Sequence, residues 1–141
     1  MAAINPYLSF NGNTEEAFDF YKSVFGGEFT NLTRFKEMHS EAEMTASEGE
    51  KIMHVALPIG QASILMGSDT IESMGKWIVG SNFSIAISPD SEEQATQLFN
   101  GLVAGGQVTM PMDHAPWGAF FGMLTDKFGI AWMVNYDKNQ S

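Results

Sequence analysis

The chain has 141 residues, 44% of them hydrophobic and 12% aromatic, enough to bury the core of one domain and too many for global disorder. Seven Lys+Arg against 17 Asp+Glu give a formal charge of −10, so no basic face exists to neutralise phosphates, and neither nucleic acid nor an anionic membrane is an expected partner. With no cysteine, no apolar run near the roughly 18 residues that span a bilayer and no signal-peptide pattern in Met1 to Phe10, the expectation is a cytoplasmic protein without disulfides or thiolate chemistry.

Residues 7–10 (Tyr-Leu-Ser-Phe) read as a short strand, followed by Asn-Gly-Asn and a helix over Thr14 to Phe25. Ala17, Phe20, Tyr21, Val24 and Phe25 supply its amphipathic stripe. Asn13 with Glu16 has the spacing of a capping box, and Gly26-Gly27 suits a C-terminal stop. Strand-like runs follow at Glu28 to Glu37, Lys51 to Pro58 and Gln61 to Met66, with a turn at Pro58-Ile59-Gly60. Residues 38–50 are polar, acidic and aperiodic, and are expected to form a mobile loop; residues 68–82 are expected to form a linker.

The same order then recurs. A strand at 83–87 precedes a helix over Ser91 to Val103 with Ala95, Leu98, Phe99 and Leu102 on one stripe, Asp90 with Glu93 as the cap, and Gly105-Gly106 as the stop. Strands are expected at Gln107 to Met110, Ala119 to Thr125 and Ile130 to Asn135, the last two joined by Asp126-Lys127-Phe128-Gly129. Each half reads β-α-β-β-β, an α+β fold with helices segregated from a mostly antiparallel sheet. The expected layout is a single domain over 1–141: module one at about 4–67, the linker at about 68–82, and module two at about 83–137.

Several residues carry candidate chemistry. His54 alternates with Ile52 and Ala56 on one strand face, where an imidazole can contact a ligand oxygen or act as acid or base; the structural alternative is a half-buried, hydrogen-bonded histidine. Trp117, between Pro116 and Gly118, suits a pocket wall as well as a core lid or a dimer contact, and Trp77 has the same double reading. His39, Glu41 and Glu43 lie in the acidic loop, which reads as solvated rather than as a cation cage. Asp113-His114 reads as rim, since adjacent side chains seldom aim at one point. The ten methionines are mostly gap-fillers, with Met66, Met112 and Met133 the pocket candidates. No G-x-S-x-G elbow supports a serine nucleophile.

Taken as a set, several motifs resemble one family. They are Asn5-Pro6-Tyr7-Leu8, Phe10-Asn11-Gly12-Asn13, Glu16-Ala17, Phe20-Tyr21, Phe25-Gly26-Gly27, Lys51-Ile52-Met53-His54, Leu65-Met66-Gly67-Ser68-Asp69, Trp117-Gly118, Phe121-Gly122, Asp126, Phe128-Gly129 and Trp132. The chain resembles the PhnB-like branch of the vicinal oxygen chelate superfamily, the glyoxalase/bleomycin-resistance fold, over nearly its whole length. The resemblance implies tandem modules whose sheets curl into a cup with helices outside, closed in a homodimer. Metal-dependent members place His or Gln, then Glu, on the first and last strands of each module. Here those strands offer Pro6, Tyr7 or Leu8 with Leu65 or Met66, then Asn82, Phe83 or Ser84 with Met133. Such groups ligate divalent ions poorly, so neither the usual metal site nor any cofactor is expected.

Proteins of this branch also carry a demethylubiquinone methyltransferase name. The strand-to-helix turns Asn11-Gly12-Asn13 and Ser88-Pro89-Asp90 lack a Gly-rich G-x-G, so methyl transfer of the common kind is not expected. The leading expectation is a small-molecule-binding protein with a cup lined by Tyr7, Phe10, His54, Met66, Trp117, Phe121 and Met133. The alternatives are a metal-dependent lyase, isomerase or dioxygenase with rearranged ligands, such as His54 with an acid from the loop, and a dimeric scaffold with no ligand.

Overall fold

The computed structural model describes residues 2–38 and 45–138. The chain divides into two compact units, Met1–Ile78 and Val79–Ser141. Each is α+β, with one four-stranded mixed sheet among the described residues.

Unit one runs β1 (Tyr7–Phe10), α1 (Thr14–Phe25), β2 (Asn31–Arg34), α2 (Phe35–Met38), α3 (Ala46–Gly49), β3 (Ile52–Ile59) and β4 (Ser63–Asp69), then a 3₁₀ turn at Glu72–Met74. The sheet order is β1-β4-β3-β2, with β1 parallel to β4 and the other pairs antiparallel. Period-2 alternation turns Leu8, Phe10, Val55, Leu57 and Leu65 to the face under α1, where all are buried. Phe18 of α1 meets Phe10 edge-on at 6.4 Å. It lies so close to β4 that a Cβ on Gly67 would stand 2.7 Å from Phe18 Cε1 and 2.9 Å from the Leu8 carbonyl.

The buried face of α1 is Thr14, Ala17, Phe18 and Tyr21, rotated from the expected stripe, with Phe20 only half-buried. The cause is a polar residue that a hydropathy count passes over. Asp69, 2% exposed, accepts from the Thr14 amide (3.0 Å), the Thr14 hydroxyl (2.6 Å) and the Gly12 amide (3.0 Å) through Oδ1, and from the Ile52 amide (2.9 Å) through Oδ2. One carboxylate thereby ties the end of β4 to the start of α1 and the start of β3. It also takes over the capping duty expected of Asn13, whose side chain makes no cap bond. Residues 68 and 69 thus belong to β4 rather than to a linker.

Two further expectations are corrected in this unit. The strand expected over Glu28 to Glu37 is only Asn31–Arg34, and Phe35–Met38 is helical. Of the expected loop, Ala46–Gly49 forms a short helix behind a complete capping box, with Thr45 accepting from the Glu48 amide and Glu48 accepting from the Thr45 amide. Residues 39–44, with His39, Glu41, Glu43 and Met44, lie outside the described residues.

Unit two runs β5 (Ile85–Ile87), α4 (Glu92–Val103), β6 (Gln107–His114), β7 (Phe120–Thr125) and β8 (Ala131–Tyr136), in sheet order β5-β8-β7-β6 with β5 parallel to β8. Ala95, Phe99 and Leu102 of α4 are buried, as are Leu124, Trp132 and Val134 of the sheet. Trp132 donates its indole N–H to Asp126 Oδ2 at 2.8 Å, while Asp126 Oδ1 accepts the Phe128 and Ile130 amides and holds the turn between β7 and β8. The helix cap falls one residue later than expected: Ser91 accepts from the Gln94 amide, and the Gln94 side chain accepts from the Asp90 amide. The first strand begins at Ile85, not 83, and β6 extends through Pro111 to His114 instead of stopping at Met110. Proline is tolerated there because β6 is an edge strand with register shifts.

Candidate functional site: the helix-free sheet faces

In unit one, Tyr7 pairs with Met66, and Met66 with Ala56. His54, two residues from Ala56, shares that face, opposite α1. The Tyr7 and His54 rings approach to 6.0 Å at 41°, with Tyr7 47% exposed and His54 and Met66 half-buried. Strand β2 adds two neighbours that sequence reasoning missed. Thr33 pairs with His54, and Asn31 with Ala56. The Asn31 side-chain amide donates to His54 Nδ1, and the Thr33 hydroxyl donates to Asn31 Oδ1 at 3.1 Å. The period-2 pattern of the expected strand over Glu28 to Glu37 placed these two on one face, but their partner was not readable without the β2–β3 register.

Phe10 does not join this group. It is 5% exposed and packs under α1 against Phe18, so it supports the sheet from behind. Ile52 leaves the expected face too: the register shifts between Thr33 and Arg34, which makes Met53 an extra residue on β3 and puts Ile52 in the core.

In unit two, Ala86 pairs with Met133, and Met133 with Met123. Phe121, two residues from Met123, shares the helix-free face and pairs with Asn135, whose Oδ1 is buried with no hydrogen-bond partner among the described residues. The registers superpose position by position: Tyr7 corresponds to Ala86, His54 to Phe121, Ala56 to Met123 and Met66 to Met133. Trp117 sits at the tip between β6 and β7, 69% exposed, on a turn closed by the Ala115 amide to the Ala119 carbonyl at 2.7 Å. His114 turns away from Asp113 toward Glu92, with Nε2 3.2 Å from its carboxylate, and stacks at 4.8 Å on Phe120. Trp77 is half exposed, and both its backbone groups are bonded to the Asn11 side chain.

Unit one also holds two clefts that sequence reasoning missed, of about 340 Å³ and 520 Å³, sharing Gly12 and Lys51 in their walls. Their charges are largely matched internally. Arg34 grips Glu15 at 2.7 Å and Lys36 grips Glu50 at 2.6 Å, holding both carboxylates below the usual range, while Lys51 donates to the Gly12 carbonyl at 2.9 Å.

The resemblance implies metal ligands on the first and last strands of each unit. The paired first- and last-strand positions are Tyr7 with Met66 and Ala86 with Met133. A phenol, two thioethers and a methyl group form a poor donor set for a hard or borderline ion.

Comparison with known proteins places the fold in a family. A family model described as 3-demethylubiquinone-9 3-methyltransferase matches residues 2–135. Protein YjdN of Escherichia coli (strain K12) is 32% identical, covering 97% of this chain and 97% of its own. The crystal structure of protein PA1353 from Pseudomonas aeruginosa is 39% identical over 97% of this chain and 98% of that one, with a TM-score of 0.84. The PhnB protein from Bacillus cereus shares the fold at 24% identity, covering 96% and 99%, with a TM-score of 0.73; structures of glyoxalase-named proteins share it as well. The chain belongs to the family described as 3-demethylubiquinone-9 3-methyltransferase, and it has the fold of the PhnB and glyoxalase/bleomycin-resistance structures.

Proposed function

We propose that this PhnB-like protein binds a compact, partly apolar small molecule without the superfamily's usual metal, and that the Tyr7–His54–Met66 face is its principal contact surface. The single observation carrying this reading is a polar group set into an apolar face. His54 stands half-buried beside the Tyr7 ring, in line with the Met66 thioether, on the side of the sheet that no helix among the described residues of unit one covers. Binding surfaces for small molecules combine such apolar and aromatic walls with few polar groups. Unit two has an apolar face of its own at Phe121 and Met133, with Trp117 exposed on one of its turns. Methyl transfer is not part of the proposal: β1 leads into α1 through Asn11-Gly12-Asn13, whose Gly12 and Thr14 amides are engaged by Asp69 rather than open to a cofactor.

The protein is further proposed to act as a cytoplasmic homodimer with neither nucleic acid nor membrane as partner. Its charge of −10 opposes polyanions, and no helix among the described residues is long and apolar enough to cross a membrane. Exposed Met74, Trp77, Ile78, Val79 and Phe83 supply apolar surface for a second copy. Sedimentation equilibrium tests the dimer, and a monomer at all concentrations refutes it.

The binding proposal is tested by ligand-observed NMR screening of small aromatic and carbonyl compounds against wild type and His54→Ala. Hits lost on the substitution, with thermal unfolding unchanged, are the expected result. Hits that persist in His54→Ala refute the assigned face. Trp117→Ala should weaken binding and leave stability intact; lost stability with binding untouched makes Trp117 structural. Stoichiometric divalent metal in protein purified without chelator would overturn the metal-free part of the reading.

A further inference from the structure

The polar group on the Tyr7 face has a defined hydrogen-bonding sense, and β2 sets it. Asn31 Oδ1 is occupied by the Thr33 hydroxyl at 3.1 Å, which leaves the amide N–H groups turned toward His54. With the amide in this orientation they reach Nδ1, which accepts through its lone pair in the neutral tautomer that carries the hydrogen on Nε2. We infer that Asn31 and Thr33 are positioning residues that hold His54 as an Nε2–H donor, and that the ligand group read at this site is therefore a hydrogen-bond acceptor, a carbonyl or ether oxygen on a flat apolar body. This rests on the proposal that the Tyr7–His54 face binds a small molecule, and narrows it to a ligand class.

Two features of the site agree with that class. The Tyr7 ring at 6.0 Å gives a flat ligand something to lie against. Met66, in register with Tyr7, extends the apolar floor. The tautomer also bears on metal binding: a histidine that ligates through Nε2 commonly donates its Nδ1–H to a carbonyl or carboxylate, whereas here Nδ1 accepts. Reversing the Asn31 amide would put Oδ1 on Nδ1, move the hydrogen there and make Nε2 an acceptor, so the two arrangements exclude each other and the ring's tautomer separates them.

The first measurement needs no ligand. Long-range ¹⁵N–¹H spectra of ¹⁵N-histidine-labelled wild type, at about pH 8.5 where an ordinary imidazole is neutral, should report His54 as Nε2–H. Asn31→Asp should move the hydrogen to Nδ1, because a carboxylate can only accept. Wild type found as Nδ1–H overturns the inference, as does a tautomer indifferent to Asn31→Asp. The ligand class is read with two probes of similar shape, acetophenone, which carries an acceptor, and ethylbenzene, which does not. Wild type should bind acetophenone about tenfold more tightly, the worth of one ordinary hydrogen bond. That preference should vanish in His54→Phe, which installs the residue unit two has at this register, and shrink in Asn31→Asp. Equal affinity for both probes in wild type overturns the acceptor class. If neither probe moves the Tyr7 or His54 signals, the small-molecule reading of the face fails and takes the ligand class with it, while the tautomer spectra still decide the role of Asn31.

Discussion

Removing the Asp69 carboxylate should be among the most damaging single changes in unit one, although the sequence shows only an ordinary aspartate. Asp69→Ala leaves the Thr14 and Ile52 amides without acceptors in buried surroundings, along with the Thr14 hydroxyl and the partly buried Gly12 amide. The hydroxyl can turn and Gly12 can reach water; the two buried amides can do neither. At about 1–3 kcal/mol for each orphaned buried donor, with a little added for the others, the loss is about 3–5 kcal/mol. Asp69→Asn keeps an oxygen for the three donors on Oδ1 but sets an NH₂ group against the Ile52 amide, so it should cost about 1–3 kcal/mol. With a urea m-value of about 2 kcal/mol/M, the midpoints should fall by about 2 M for Ala and about 1 M for Asn. Urea titration followed by circular dichroism reads the order. Amide exchange at Thr14 and Ile52 reads the cause, since those protons should lose protection first. An Ala variant within about 0.5 M of wild type, or an Asn variant as damaged as Ala, refutes the reasoning. If Asp69→Ala does not fold, the Asn variant alone still carries the test through its exchange pattern.

Two other predictions concern packing and charge. Gly67→Ala should cost about 1–3 kcal/mol, since its Cβ meets the Leu8 carbonyl and the Phe18 ring. Gly122→Ala should cost less, because its closest neighbour is the flexible Met112 thioether at 2.6 Å; the reverse order in thermal melts would contradict this account. For Glu15, the Arg34 hydrogen bond holds the carboxyl below the usual glutamate range. A depressed carboxylate contributes stability that is present above the unfolded pKa and is lost as pH falls through the folded one. With the Glu15 side chain about half exposed, Glu15→Gln should cost under about 1 kcal/mol near neutrality, and the gap from wild type should narrow as the pH is lowered from neutrality through the folded pKa. A gap that is constant across that range means the ion pair contributes nothing that titrates.

The β-α-β-β-β order, both long helices and most strand positions were legible because their signals are local: alternation for strands, a 3.6-residue stripe for helices, glycine stops after them. What was not legible depends on partners distant in the chain. Asp69 looked like the start of a linker, yet it reaches back to Gly12 and Thr14. The α1 stripe was placed a step away from its buried face because Thr14 counts as polar until its acceptor is known. Phe10 looked like a pocket residue because aromatic character says nothing of which face a strand buries; its alternation with Tyr7 does. Asn31 and Thr33 carry no motif, and their meaning appears only when β2 is set against β3. The acidic stretch hid a short helix because Thr45 and Glu48 form a capping box within a run that has no apolar period.

The two units also show which positions the repeat holds fixed and which it releases. Beneath the helices, the cross-strand pair Val55–Gly67 of unit one corresponds to Gly122–Val134 of unit two. Both units place one valine beside one glycine under a helix phenylalanine, Phe18 in one and Phe99 in the other, with the two residues exchanged between strands. The summed volume is the same, as close packing demands, although the sequence at either strand alone differs. The neighbouring Leu65 becomes Trp132, a larger side chain whose indole N–H needs an acceptor, and Asp126 provides it within the adjacent turn. On the faces turned from the helices volume is exchanged in a similar way, since Tyr7 and Ala56 flank Met66 where Ala86 and Met123 flank Met133, but the polar groups are not kept. Tyr7, His54 and Thr33 stand where unit two has Ala86, Phe121 and Asp113. Tyr7 against Ala86 loses a ring while Ala56 against Met123 gains a side chain, and His54 against Phe121 keeps the ring but removes the donor. The divergence is therefore chemical rather than volumetric: unit one sets an imidazole among Asn31 and Thr33, where unit two sets Phe121 between Asp113 and Asn135.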